Sequence, residues 1–507
     1  MEVEVEVVMQ ANNEFPKRYQ WIKETPIAIL EENEAPLWRD ASQVADAVES
    51  MGAEAIRYPA IRWAVHTYKE SKYLPKYPGL GERDLLGEIM NEMKSRGITV
   101  IPYCHIGVLH THAYKVHPEW AARDYYGRPF SWNGVHKMVC LNNQLFIRAM
   151  LGAVKEVVSN YNPDAIYFDG PVWYMETCAC IYCRKTFEER FGYPLPLKLS
   201  WDDGTRQDYN KMRDERVKEV MKLLSESIKE LKDIPVFFNT SMKYLPSHNC
   251  GIPELTAEHA DGANTTEVHR PRSYWEILET ARLGEALKKV SLCYCPPGPY
   301  ESLSTFDTLE TVIFGVTYAA HGGTPMAQTV SAFLYDKTGA AQMKSLLNHL
   351  KKNADIYYRA KPIEEVALIY SRQTGENYAK GEVAERLEMH FSGAFRSLIH
   401  EHVHFVCLFD TQLTWEKIKD FKTLVLPNVV SLSDSQIDLL ERFVKEGGGL
   451  VATYKTSLYD EKGLMRRDFG LKDLFKLTYL GETPKDNYRR RAVSYTHLRA
   501  HETSLHL

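Results

Sequence analysis

The sequence predicts an α/β protein in which a (β/α)8 barrel is followed by a smaller three-layer α/β domain. Between about residue 20 and residue 355, helical periods alternate with short apolar runs, as in repeated βα units. Polar residues stand where those runs end, which is typical of the functional face of a barrel. A doubly wound open sheet is the runner-up, but it should show a glycine-rich phosphate fingerprint after its first strand, and none is visible.

Length and composition narrow the class of protein. The chain has 507 residues, 44% hydrophobic and 25% charged, so two or three domains with sizeable cores are expected. Its formal charge of −5 is too small to favour nucleic acid or a membrane surface as a partner. The first residues lack the basic start and apolar block of a signal peptide, which predicts a cytoplasmic protein.

Three helices are predicted in the first part of the chain, where helical periods alternate with strand-like runs. They are predicted over residues 83–97, 144–161 and 214–232, and Gly97 and Pro163 end the first two. The runs "ITVIPYCH" and "AIYFDG" follow those two helices as strands. Further strand candidates are "AEAIRY", "IPVFFNT", "ADGANTTE", "VSLCYC" and "TYAAHGG". Polar residues at the predicted strand ends are His105, Asp169, Asn239, Glu267 and His321.

A second pattern begins near residue 363. "EEVALIYS", "HFVCLFD", "FKTLVLPNV" and "GGGLVATY" read as buried strands, and Ser433 or Asp434 caps a helix that ends before Gly447. These elements predict a flavodoxin-like domain of the class I glutamine amidotransferase-like kind. Cys407 lies inside a strand rather than on a strand-to-helix turn, so a nucleophilic thiol is not expected and the domain is interpreted as structural.

Three of the nine cysteines lie within six residues, as Cys178-x-Cys180-x-x-Cys183. Zn²⁺ takes four ligands in a tetrahedron, so a fourth thiol is needed, and Cys104 and Cys140 are both candidates. An alternative is redox chemistry, which predicts exposed, metal-free thiols.

Here the sequence resembles known families. "VCLNN", then a helix, a strand ending in a carboxylate and Cys-x-Cys-x-x-Cys is similar to the metal site of glycoside hydrolase family 42 β-galactosidases. The resemblance implies that Cys140, Cys178, Cys180 and Cys183 bind a structural zinc. That ion would pin the loop after Asp169.

The second domain resembles a β-galactosidase trimerisation domain. The similarity rests on "GGGLVATYKTSLYDEKGLMRRDFGLKDLF" and implies a homotrimer. The domains expected are an N-terminal extension (1–20), the catalytic barrel (21–358) and a trimerisation-like domain (363–485). The last residues, 493–507, resemble adaptor-derived sequence, which predicts a non-native tail after a truncated domain.

The barrel departs from family 42, which has an Asn-Glu pair at the end of its fourth strand where this chain has Phe168-Asp169. "YNPDAIYFDG" instead resembles the nucleophile strand of α-L-fucosidases. A barrel of this kind joined to a trimerisation domain resembles the hypothetical glycosyl hydrolase family 6, to which family 151 α-L-fucosidases belong. The resemblance implies a retaining α-L-fucosidase acting on small oligosaccharides or glycosides, with β-galactosidase as its rival.

Glycoside cleavage normally needs two carboxylates. Asp169 is the predicted nucleophile, although an Asp-Gly pair is more often a turn. Glu267 is the predicted acid/base, and Glu254, Glu258 and Glu301 are rivals. A simple surface salt bridge is the alternative role for Glu267.

Sugar recognition needs apolar rings and fixed polar groups. The residues predicted to contact the sugar are Trp63, His66, His105, Trp173 and Asn239. A different class of function stays open, a non-catalytic carbohydrate-binding or assembly protein on a decayed barrel. No organic cofactor is expected.

Overall fold

The computed structural model describes most of the chain. The described residues are 19, 21–30, 40–171, 173, 177–201, 203–239, 242–243, 257, 259–266, 274–295, 308–329, 337–481 and 496–498. None of the helices in these residues combines the length and the apolar character that a membrane span requires.

Eight parallel strands form a closed barrel in the first part of the chain. Each strand pairs with the next along the chain, and the eighth pairs with the first, which closes the ring. The strands are β1 (Ile27–Leu30), β2 (Ala55–Arg62), β3 (Thr99–His105), β4 (Ile166–Asp169), β5 (Val236–Asn239), β6 (Gly262–Thr266), β7 (Val290–Cys295) and β8 (Gly323–Thr329).

Helices connect most of these strands, as in repeated βα units. They are α1 (Ala41–Ser50), α2 (Leu85–Ser95), α3 (Gln144–Tyr161), α4 (Ile181–Phe191), α5 (Thr205–Lys229), α6 (Tyr274–Ala286), α7 (Thr308–Ala320) and α8 (Lys337–Lys352). The side chain of Asn143 caps α3 and Asp84 caps α2, each accepting from a backbone N–H of the first turn.

Two sequence-based boundaries were wrong. The longest helix, predicted over 214–232, begins at Thr205, after Gly204 in a left-handed conformation. The run "TYAAHGG" was predicted as a strand, but its first four residues end α7. His321 and Gly322 (φ 87°) form the turn before β8, so His321 lies at the opposite end of the barrel from the predicted functional face.

A small antiparallel sheet is inserted between β3 and α3. Its strands are Val108–Leu109, Ser131–Trp132 and His136–Met138, with the last in the middle. The amide of Val139 donates to the carbonyl of Gly107 at 2.9 Å, which ties the end of this insertion to the loop after β3. The chain then passes directly to Cys140.

The second domain is a parallel sheet with helices. Its strands are β9 (Val366–Tyr370), β10 (Phe405–Phe409), β11 (Thr423–Leu426), β12 (Gly449–Ala452) and β13 (Thr496–Leu498), and its main helices are α9 (Met389–His400) and α10 (Asp434–Lys445). The order β10-β9-β11-β12-β13 is flavodoxin-like, with only β13 antiparallel.

Two residue-level predictions for this domain are confirmed. Ser433 forms a capping box with Gln436 at the start of α10. Cys407 lies within β10, buried, and burial raises the pKa of its thiol, so it is not poised as a nucleophile.

The two domains share a buried interface. Apolar side chains of α6, including Leu278 and Leu283, pack in one cluster with Phe391 of α9. Lys243, four residues after β5, forms ion pairs with Glu279 of α6 at 2.5 Å and with Glu388 at 2.8 Å. The second domain therefore contacts both α6 and the loop that follows β5.

Candidate active site

Asp169 lies at the carboxyl end of β4 and is 9% exposed. The Tyr103 hydroxyl donates to its Oδ2 at 2.5 Å, and the Asn239 amide donates to its Oδ1 at 2.9 Å. His105 Nε2 lies 3.7 Å from Oδ2. Gly170 follows with φ 98°, a left-handed conformation that favours glycine and turns the chain out of the strand.

The barrel's strand register explains why these side chains meet. Alternate residues of a barrel strand face inward. Tyr103 and His105 share one face of β3, and His105 stands opposite Asp169 in the pairing of β3 with β4. Asn239 ends the next strand, β5. The predicted gathering of His105, Asp169 and Asn239 at one end of the barrel is therefore seen in the structure.

The carboxylate of Asp169 is held in its charged form. Burial alone raises its pKa, but the charge of His105, the donors on Tyr103 and Asn239 and the charge of Arg57 lower it more. The net pKa is below the usual value of 3.8. A buried acid that stays ionised at neutral pH is suited to act as a nucleophile rather than as a general acid.

A half-buried group of rings stands beside this carboxylate. The ring of Trp63, in the turn after β2, lies 6.5 Å from that of His105 and 4.3 Å from that of His136. His110 and His136, both contributed by the inserted region, have ring centroids 5.2 Å apart. Burial lowers the pKa of His110 to about 4, so its ring is neutral at pH 7. Neutral rings of this kind suit the apolar face of a sugar.

Two other predicted sugar contacts are placed differently. His66 is 3% exposed, and its Nδ1 lies 3.1 Å from the carbonyl oxygen of Tyr68. Trp173 is 1% exposed and packs edge-on against Tyr209 of α5, with centroids 6.2 Å apart. Both side chains are therefore packed in the protein interior in this conformation, and their sugar contacts stay predictions.

Glu267, the predicted acid/base, lies outside the described residues. The rivals Glu254, Glu258 and Glu301 do too. The assignment of the second carboxylate therefore stays a prediction from the sequence.

Four thiols meet close to this end of the barrel. Cys140, Cys178, Cys180 and Cys183 are all buried, and their sulfurs lie within 4.8 Å of one another. Cys140 Sγ lies 3.5 Å from Cys183 Sγ and 3.3 Å from Cys180 Sγ. A tetrahedron with metal–sulfur bonds of about 2.3 Å has sulfur–sulfur edges of about 3.8 Å, so these residues fit such an ion. Cys104, the other candidate for fourth ligand, is not part of this group.

The surroundings of the thiols also suit a closed metal site. The amide of Asn142 donates to Cys183 Sγ at 3.3 Å, and the backbone amide of Cys178 donates to the Tyr209 hydroxyl at 2.6 Å. Hydrogen bonds from the other three thiols lower the pKa of Cys180, which favours one thiolate in the group. The redox interpretation expected exposed thiols, and the burial of all four contradicts it.

The cysteine group connects two parts of the chain at this end of the barrel, the inserted region and the loop after β4. Cys140 directly follows the inserted sheet, whereas the other three follow the loop after β4. The amide of Ala179, between two of them, donates to the carbonyl of Arg123 in the insertion at 2.8 Å. The group thus joins the region that supplies His110 and His136 to the loop after Asp169.

Two segments of the chain match known family models. Residues 40–170 match the model described as hypothetical glycosyl hydrolase 6, and residues 364–479 match the β-galactosidase trimerisation domain. The chain carries two glycoside hydrolase family domains. The resemblances to the hypothetical glycosyl hydrolase family 6 and to the β-galactosidase trimerisation domain are therefore confirmed. A comparison with curated proteins gave no match.

Several solved structures with a similar fold are glycosidases. α-L-Fucosidase isoenzyme 2 from Paenibacillus thiaminolyticus has a TM-score of 0.67 at 18% identity, over 86% of this chain and 64% of that one. β-Galactosidase from Bacillus circulans sp. alkalophilus has a TM-score of 0.73 at 16% identity, over 89% of this chain and 75% of that one. A catalytic mutant of Gan42B, a GH42 β-galactosidase from G. stearothermophilus, has a TM-score of 0.73 at 14% identity, over 94% of this chain and 79% of that one.

These likenesses confirm the predicted fold, a barrel followed by a second α/β domain. At such low identity they bear on the fold alone, and the chain spans under two thirds of the length of that fucosidase.

Proposed function

We propose that the protein is a retaining glycoside hydrolase in which Asp169 is the nucleophile. The observation that carries the proposal is the carboxylate of Asp169, contacted by three side chains at the carboxyl end of a barrel strand. Active sites of barrel enzymes lie at that end. The glycosyl hydrolase 6 match covers the strands that supply Tyr103, His105 and Asp169.

The proposed mechanism uses Asp169 as the nucleophile and Glu267 as the acid/base. Asp169 attacks the anomeric carbon, the glycosidic C–O bond breaks, and the leaving oxygen takes a proton from Glu267. Glu267 then removes a proton from water, which cleaves the glycosyl–Asp169 ester and regenerates the carboxylate. Tyr103 and Asn239 orient the two oxygens of Asp169, so that one lone pair points at the sugar.

An α-L-fucoside is the preferred substrate, and a β-galactoside is the alternative. The support for the first is the Asp169 strand, with its resemblance to fucosidases and the structural likeness to one. The trimerisation-domain match favours the second. Trp63 and His105 are the sugar contacts best supported by geometry. Those of His66, Trp173 and Asn239 rest on the sequence.

The four cysteines are proposed to hold a structural zinc. A zinc ion bound by four thiolates has no open position, so it would supply rigidity rather than catalysis. Its role would be to fix the position of the inserted region relative to the loop after Asp169.

The proposed assembly is a cytoplasmic homotrimer built through the second domain. The supporting observation is the match of residues 364–479 to a trimerisation domain. Sedimentation equilibrium should give a mass three times that of the 58.4-kDa chain. A monomer across the concentration range would refute the trimer without affecting the proposed reaction.

The proposed reaction is tested with a panel of nitrophenyl glycosides. The wild type should release nitrophenol from the α-L-fucoside or the β-galactoside, and Asp169→Asn should lose at least about a thousandfold in kcat/KM. Asp164→Asn is the matched control, because this exposed aspartate lies five residues earlier and pairs with Lys232 on the surface. Full activity in Asp169→Asn would show that the nucleophile lies elsewhere.

The panel also separates the enzyme from a non-catalytic sugar-binding protein. That alternative expects no cleavage of any glycoside, together with saturable sugar binding by calorimetry. Such a result would overturn the proposed function.

A further inference from the structure

Arg57 is a buried cation in the interior of the barrel. It lies on β2 and is 1% exposed, although arginine is among the residues that are rarely buried. Its guanidinium carbon lies 4.7 Å from the ring centroid of Tyr103 and 4.5 Å from that of Tyr167. These two rings are nearly parallel, with an interplanar angle of 15° and centroids 6.1 Å apart.

One of these rings reaches the carboxylate of Asp169. Tyr103 contacts the guanidinium with its ring and donates its hydroxyl to Oδ2 at 2.5 Å. A cation that rests on an aromatic ring restrains the position of that ring. Through Tyr103, Arg57 therefore fixes the direction of a hydrogen bond to the proposed nucleophile.

Arg57 also supplies charge. The groups whose charge or hydrogen bonds lower the pKa of Asp169 are His105 and Tyr103 from β3, Asn239 from β5 and Arg57 from β2. Of these four, arginine is the one whose positive charge does not depend on pH in the working range, because a guanidinium is not deprotonated in proteins. We propose that Arg57 is a positioning residue of the hydrolase, which aligns Tyr103 and keeps the carboxylate of Asp169 charged from inside the barrel.

This inference rests on the proposed function, and the pH profile of kcat/KM tests it. Arg57→Met should move the acid limb of the profile upward, because a positive charge that lowers the pKa of Asp169 is lost. Arg57→Lys restores the charge and should return the limb to near its wild-type position. The proposal would be overturned if the acid limb did not move in Arg57→Met. It would also be overturned if the acid limb moved by the same amount in Arg57→Met and Arg57→Lys.

Arg213→Met is the matched control. Arg213 is also 1% exposed, but it lies on α5 with its Nε 3.3 Å from Asp214. Its loss should lower the melting temperature while the acid limb stays in place. An equal shift in this control would mean that the limb reports general destabilisation, and would refute the specific role of Arg57.

A second measurement does not need a substrate, so it separates this proposal from the hydrolase assignment. Melting temperatures are compared for wild type, Arg57→Met, Asp169→Asn and the double variant, with Arg57→Gln in place of Arg57→Met where the methionine variant does not fold. At pH 7 the loss from replacing Arg57 should be smaller in the Asp169→Asn background, because the charge it serves is gone. Strictly additive losses would overturn the proposal even if the glycoside panel succeeds.

Discussion

Tyr103 and Asn239 each donate to a different oxygen of Asp169, so both carboxylate oxygens are oriented before any substrate arrives. Hydrogen bonds to a charged acceptor are stronger than those between neutral groups. They offset the cost of burying the charge and favour the ionised form of Asp169 near neutral pH.

The pH dependence of stability should show this arrangement directly. The folded pKa of Asp169 is lowered, so its contribution to stability is complete above the usual value of 3.8 and is lost as the pH falls through the folded pKa. The free energy of unfolding of wild type minus that of Asp169→Asn should therefore be constant near neutrality and fall below about pH 4. Urea titrations at several pH values measure it. If the difference in free energy of unfolding between wild type and Asp169→Asn grew as the pH fell, the pKa of Asp169 would be raised in the folded protein rather than lowered.

Removing the Tyr103 hydroxyl should weaken the reaction. Tyr103→Phe loses a hydrogen bond to a charged group, worth about 1.5–3 kcal/mol, so kcat/KM should fall by about 10- to 100-fold. The acid limb should also move upward. Tyr161→Phe is a matched control, since its hydroxyl donates to Asp84 at 2.8 Å at the helical surface of the barrel. Equal profiles for the two variants would argue against a role for Tyr103.

Sequence reasoning found the site residues that end strands but missed those within them. His105, Asp169 and Asn239 are last in their strands, a position that marks function in a barrel. Tyr103 stands two residues before His105, and the period-two alternation of a strand was the signal that could have found it. Arg57 was missed for the same reason. His110 and His136 lie in an insertion whose path to the site no local pattern reveals.

At the scale of elements, the cysteine group joins the inserted sheet to the loop after β4. We expect one zinc per chain in purified protein, and Cys140→Ser should lose most of it because a thiolate ligand is removed. The melting temperature should fall in parallel. Cys104→Ser is the matched control, because Cys104 is equally buried but lies outside the group. Metal-free wild type, measured by elemental analysis, would contradict the zinc proposal.

The boundaries of elements were less predictable than their presence. The α3 helix matches its predicted range because Asn143 caps its start and Asn162, in a left-handed conformation, ends it before Pro163. The start of α5 was predicted too late because residues 205–213 are mostly polar and have weak apolar periodicity. This part of the helix is stabilised by buried contacts instead, which include Tyr209 against the cysteine loop.

At the scale of the whole molecule, a buried ion cluster links the two domains. Lys243 pairs with Glu279 and Glu388, and Ser392 of α9 also donates to Glu279 at 2.9 Å. The same Glu388 accepts a hydrogen bond from Tyr370 at the end of β9. The second domain is thereby attached four residues beyond Asn239, a residue of the candidate active site.

Breaking this cluster should destabilise the protein strongly. Lys243→Met leaves the carboxylate of Glu279, whose side chain is 1% exposed, without its cation. The expected loss is about 3–5 kcal/mol in the free energy of unfolding, measured by denaturant titration. Lys419→Met is the control, because its pair with Glu416 is exposed to solvent and should leave stability near wild type. Similar losses in both variants would contradict the account of the interface.

The central claim is that Asp169 forms a covalent bond to the sugar, and mass spectrometry of a trapped intermediate tests it most directly. The protein is treated with the 2-deoxy-2-fluoro derivative of the glycoside that it cleaves, which slows hydrolysis of the intermediate. The account predicts one added glycosyl group per chain, on the peptide that contains Asp169. A label on another carboxylate, or activity without any covalent adduct, would contradict it.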